Sequence, residues 1–138
     1  MRYDITVDGI PKAQPRVKAR RFHDRAMVYD PGTSDGWKLL VASAASRKRP
    51  VSPIAGPVQL SIDFHMPRPK KLMRKSDPAE VVPHTAKPDA DNLGKAVMDS
   101  LTQAGWWLDD AQVFGLIVRK FYHRKDGRPG ARITIVAG

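Results

Sequence analysis

The chain has 138 residues, no cysteine, and 24 Lys and Arg against 14 Asp and Glu, giving a formal charge of +10 and a pI near 10.2. That length fits one domain around one core, and the lack of cysteine excludes disulfides, thiolate metal sites and cysteine nucleophiles, so any metal site must use oxygen or imidazole. Such basicity favours a polyanionic partner, nucleic acid foremost; with apolar runs too short to span a membrane and no signal-peptide pattern at the start, a soluble cytoplasmic protein is expected.

Residues 2–10 alternate Arg2, Asp4, Thr6 and Asp8 with Tyr3, Ile5 and Val7, the period of a half-buried first strand. From Pro11 to Ser34 the pattern dissolves into a proline-bearing stretch with Lys12, Arg16, Lys18, Arg20, Arg21 and Arg25, read as an extended basic loop that contacts phosphates; a merely solvated face is the alternative. Ser34 reads as a helix N-cap, with Trp37, Leu40, Val41, Ala44 and Ala45 at helical spacing and Arg47, Lys48 and Arg49 at the far end before Pro50. Trp37 starts the apolar stripe and is assigned to the core. Residues 58–66 alternate without fault, Val58, Leu60, Ile62, Phe64 and Met66 on one side, as a second strand. The proline-rich segment from Pro67 to Lys87 carries Arg68, Lys70, Lys71, Arg74 and Lys75 as candidate DNA contacts and is too long for a structural turn, hence functional or mobile. VFGLIVRKFYHR reads as a third strand and ARITIVAG as a fourth, joined by the Asp126-Gly127 turn and expected to pair antiparallel. The fold expected is α+β, a small antiparallel or mixed four-stranded sheet covered by two helices, as a single domain over residues 1–138.

The chemistry concentrates between Lys87 and Val113. Five of the 14 acidic residues lie between Asp89 and Asp110 with Lys95 the only base there, so that window carries −4 and the rest of the chain +14. Leu93, Val97, Leu101 and Ala104 fall on one face of a helix; Asp91, Lys95 and Asp99 form a stripe opposite, with Asp89 just ahead of the first turn. Two carboxylates two residues apart at a loop-to-helix junction can converge on one hard cation, Mg²⁺ being the natural occupant, and the pair Asp109 and Asp110 could add a third oxygen ligand. Each residue also has a plainer reading. Asp89 or Asp91 fits an N-cap worth about 1 kcal/mol, Lys95 an i to i+4 ion pair, and Asp109 and Asp110 the opening of a turn. His23, His65, His84 and His123 have no ligand spacing.

The run KPDADNLGKAVMDSLTQAGWWLDDAQV resembles the signature of the RusA Holliday-junction resolvases, and GIPKAQPRVKARR with the later VYDP is similar to the start of phage-borne members. The resemblance implies a homodimeric, Mg²⁺-dependent endodeoxyribonuclease, with Mn²⁺ a possible substitute. It would act on branched DNA, four-way junctions above all, in recombination and repair. It further implies that Asp89, Asp91 and Asp110 are catalytic and bind the metal, that Lys95 is the essential lysine, and that Asp99 and Asp109 occupy recurrent acidic positions. The basic segments would hold the junction arms. Of Trp106 and Trp107, one is expected in the core and the other as a platform for an unpaired base. The rival readings are a non-catalytic nucleic-acid-binding protein and a nuclease of flaps or forks.

Overall fold

The computed structural model describes residues 1–14, 18–22, 25–29 and 34–138, with side chains outside residues 15–33. In chain order the elements are β1 (Arg2–Asp8), β2 (Lys18–Phe22), β3 (Arg25–Tyr29), α1 (Asp35–Ser46), β4 (Val58–Met66), β5 (Val82–Pro83), α2 (Ala90–Gln103), β6 (Val113–Tyr122) and β7 (Gly130–Ala137). β1, β7, β4, β6 and β5 form one mixed sheet in that order; β2 and β3 form a separate antiparallel pair. The α+β class holds, with five strands in the main sheet where four were expected.

Strict alternation in β1, β4 and β7 gives the sheet two unlike faces. Ile5 pairs with Ile133 and Ile133 with Ile62, while Val7 pairs with Ala131 and Ala131 with Phe64, so one face is continuously apolar. Against it pack Trp37, Val41 and Ala45 of α1 and Leu93, Val97 and Leu101 of α2, one buried cluster with the sheet residues. The other face carries an open depression lined by Arg2, Arg119 and Arg132 against Asp4 and Asp63, with Gln59, Ser61 and Thr134 between them.

Three expectations are corrected. The strands after residue 112 do not pair with each other: β4 lies between them, antiparallel to β7 and parallel to β6. The turn chemistry was real, since Gly127 N–H donates to Arg124 O at 2.9 Å, but the connection passes the end of β4. The stretch read as a basic loop contains the hairpin β2–β3. Finally, Trp106 and Trp107 are both core residues, 0% and 1% exposed, so neither is a stacking platform. Ser34 does occupy the N-cap position of α1, but its hydroxyl makes no capping bond.

The segment from Pro67 to Lys87 is tied down. The Arg68 guanidinium, 9% exposed, donates to the carbonyls of Leu72 (2.8 Å), Pro78 (2.7 Å), Glu80 (2.9 Å) and His123 (3.2 Å). Lys125 Nζ adds bonds to Arg74 O and Asp77 O, both 2.6 Å. Those six carbonyls are held by two cations, which explains how a long loop keeps one course.

Candidate metal and DNA site

α2 positions the acidic residues. Its inward side buries Leu93, Gly94, Ala96, Val97 and Leu101, which leaves Asp91 and Lys95 exposed on the other. Gly94 lets the helix sit close on β6: a Cβ there would stand 2.9 Å from Val118 Cγ2. Asp89 does occupy the N-cap position of the plainer reading, but its side chain makes no capping bond. Asp91 accepts one bond, from the Asn92 N–H at 2.9 Å. Both carboxylates sit at the positive end of the helix dipole, which favours their charge. Asp99 has another role: its oxygens lie 3.9 Å from Lys38 Nζ and 3.9 Å from Lys95 Nζ, so it ties α1 to α2 and steadies Lys95.

The far end of α2 is closed by Gly105, at φ +85°, a left-handed conformation that a side chain would strain. Trp106 N–H reaches back to Leu101 O (3.1 Å) and Gly105 N–H to Thr102 O (3.1 Å), a Schellman ending that drops both tryptophans into the core. The chain then doubles back and delivers Asp109 and Asp110 to the last turn of the helix. These two do different work. Asp109 caps a single 3₁₀ turn, accepting from Ala111 N–H at 2.8 Å, while Gln112 Oε1 accepts from Asp109 N–H at 3.1 Å and Gln112 Nε2 donates to Ile54 O at 2.7 Å. Asp110 is oriented instead by Thr102, whose hydroxyl donates to its Oδ1 while accepting from Trp107 Nε1 at 2.7 Å.

Thr102 lies eleven residues beyond Asp91 on the same helix, which separates the two ends by roughly 16 Å at 1.5 Å per residue. Within one chain, therefore, Asp89 and Asp91 are together and Asp110 is apart from them. Among the described residues no three acidic or histidine side chains are close enough to share an ion.

Of the candidate DNA contacts, Lys12, Lys70, Lys71, Arg74 and Lys75 are exposed. Arg68 is not one: its buried guanidinium is engaged with four carbonyls. Arg16 lies outside the described residues; the backbone of Lys18, Arg20 and Arg21 lies on β2, and their side chains lie outside the described part. Sequence reasoning missed Lys120, whose Nζ donates to Ala86 O (2.7 Å) and Pro88 O (2.8 Å) and so fixes the segment that presents Asp89. No pattern announces it, because a lysine in a strand looks like any other. Gln112 was findable, since Asp109-x-x-Gln112 has capping-box spacing.

The family described as endodeoxyribonuclease RusA matches residues 8–136. The chain is 40% identical over 132 residues, 96% of its length and 93% of the relative's, to the protein named crossover junction endodeoxyribonuclease RusA of Escherichia coli strain K12. It is 38% identical over 123 residues, 86% of each chain, to YqaN of Bacillus subtilis. A protein of Enterobacteria phage 82 named crossover junction endodeoxyribonuclease rusA is 40% identical over 81 residues, 59% of this chain and 54% of the phage protein.

Proposed function

The chain belongs to the RusA family of endodeoxyribonucleases, and from that membership we propose that it resolves four-way DNA junctions with active sites assembled from two copies of the chain. The observation that carries this reading is the division of the carboxylates, Asp89 and Asp91 at one end of α2 and Asp110 at the other.

β6 supports the two-copy arrangement. β5 pairs with its last two residues, Phe121 and Tyr122, His84 N–H reaches Lys120 O, and among the described residues no strand pairs with that edge from Val113 to Arg119. Phe114, Leu116 and Ile117 on it are 69%, 45% and 49% exposed, apolar groups on both sides of an edge strand, which is an arrangement suited to pairing with another chain. Antiparallel pairing with a second β6 about a two-fold axis near Leu116 and Ile117 sets the start of one strand beside the end of the other. The start carries Asp110, and the end holds the Asp89 segment through Lys120. Asp110 of each copy then approaches Asp89 and Asp91 of the other.

Such a donor set fits a hard divalent cation, being all carboxylate oxygen, with Asp89 and Asp91 free of ion pairs among the described residues and one oxygen of Asp110 engaged by Thr102. Mg²⁺ held there, or Mn²⁺ in its place, supplies positive charge against the phosphate and a more acidic water. Lys95, exposed one helical turn from Asp91 and steadied by Asp99, offsets negative charge on the leaving oxygen. Lys12, Lys70, Lys71, Arg74 and Lys75 hold the backbone of the arms, so binding weakens as salt rises.

A labelled four-way junction incubated with the protein and Mg²⁺ tests this: paired, symmetric nicks are expected. Asp91→Asn should lower the cutting rate by roughly a hundredfold or more, because even groups that only orient metal ligands are worth about 10- to 100-fold, while junction binding persists. Flaps and forks cut faster than junctions would move the reading to those substrates.

A further inference from the structure

A cleft of about 510 Å³ opens directly beside the Asp89 segment, between the chain that follows β1 and the turns around Met66 and Pro88. Its walls are apolar, from Ile10, Pro11, Met66 and Pro88, and Lys12 and Lys87 stand at its rim. Two side chains on its lining hold buried polar atoms with no partner among the described residues, Oε1 of Gln14 and Nδ1 of His84. The backbone of each is fixed in place. Gln14 is anchored by its N–H to Asn92 O at 2.9 Å, on the first turn of α2. His84, 8% exposed, donates its N–H to Lys120 O at 3.1 Å and stands edge-on to Tyr122 with ring centroids 4.7 Å apart. Buried polar atoms are satisfied in nearly all native structures, so two orphans on residues that line one cleft point to a ligand that meets them.

The chemistry selects among ligands. Burial, and secondarily the charge of Lys120, hold the His84 pKa below its ordinary value, so at neutral pH the ring is uncharged. A phosphate at this depth would meet an acceptor oxygen on Gln14 and an uncharged imidazole on His84. A nucleobase has two apolar faces for the walls and an edge of donors and acceptors for the two orphans, and its flanking phosphates would lie at the rim near Lys12 and Lys87. We propose that this cleft takes one nucleobase of the junction strand beside the cut, turned out of its stack, and reads its edge through Gln14 and His84. The inference rests on the junction-cutting reading above and assigns it a specificity pocket. A base already unpaired costs least to turn out of its stack, so a base opened at the crossover would couple recognition of the branch to recognition of the sequence.

The test places the fluorescent analogue aminopurine at successive positions along the crossover strands and measures emission with the full chain bound in metal-free buffer. Brightening at one position beside the cut is expected, and its loss in Gln14→Leu and His84→Phe at equal occupancy; should His84→Phe fold poorly, Gln14→Leu decides alone. With Mg²⁺ present, changing the natural base at that position should slow cutting about tenfold, and Gln14→Leu should shrink that difference. No brightening at any position, or brightening undiminished in both variants, overturns the pocket. Brightening without any cutting would remove the nuclease reading and leave the pocket standing; cutting without brightening would remove the pocket alone.

Discussion

On the proposed reading Asp110 is a metal ligand, and a carboxylate whose orientation is set beforehand holds an ion more tightly; Thr102 sets that of Asp110. Its single hydroxyl proton has two neighbours, Met98 O at 2.9 Å and the Asp110 carboxylate; the charged acceptor makes the stronger bond, and Trp107 Nε1–H holds the hydroxyl from behind. Thr102→Val should therefore raise the Mg²⁺ concentration for half-maximal cutting by about 10- to 100-fold, with Thr102→Ser recovering it; a metal titration that superimposes on the unaltered protein would remove this role. Arg68 presents the opposite case, a cation whose place in a basic tract suggested DNA. Its planar fork meets four carbonyls that a lysine cannot match. Arg68→Lys should cost about 2 to 3 kcal/mol in urea unfolding and leave the salt dependence of junction binding unchanged. Lys75→Gln should do the reverse, reducing the slope of log affinity against log salt by about 0.9 if it contacts one phosphate. Nothing in the sequence separates these two residues, because composition does not record which cation finds a cluster of carbonyls.

At the scale of elements, legibility followed burial. β4 has one apolar face and α2 one apolar stripe, so their periods show in the sequence and both were read with near-correct bounds. β2 reads Lys-Ala-Arg-Arg-Phe, with no alternation to reveal it, and its pairing with β3 rests on backbone bonds that leave no trace in side-chain pattern. The pairing of β6 was misread for a related reason: periodicity identifies strands but not neighbours, and seven residues between β6 and β7 are enough to pass one intervening strand. In the site, Asp91, Lys95 and Asp99 were legible as a stripe with Asp89 just ahead of it, whereas the different duties of Asp109 and Asp110 depend on how the chain turns at Gly105. α2 also depends on close approach to β6 at Gly94, where any Cβ meets the stiff, branched Val118. Gly94→Leu should destabilise the fold by about 1 to 3 kcal/mol through overpacking, and Val118→Ala in the same chain should return part of that loss. Additive effects of the two changes would mean that the helix and strand do not press on each other there.

At the scale of the whole molecule, a site divided between copies makes a prediction that a site within one chain cannot. Consider Asp91→Asn and Asp110→Asn, each inactive as a pure dimer because both of its sites lack one ligand. When the two are mixed and exchange subunits, the mixed dimer has one centre lacking both residues and one centre lacking neither, since the intact centre takes Asp91 from the second variant and Asp110 from the first. Activity should therefore return on mixing, and it should return as single nicks, because only one of the two strands faces a working site. If each chain carried its own complete set, both centres of the mixed dimer would stay defective and mixing would restore nothing. Placing a charge on the open edge, as in Leu116→Lys, should abolish this rescue and the cutting by the unaltered protein alike, with sedimentation showing the single chain, because two lysines brought together at the two-fold axis repel where leucines would pack. Restoration by mixing in a variant that sediments as a monomer would place the shared surface somewhere other than β6.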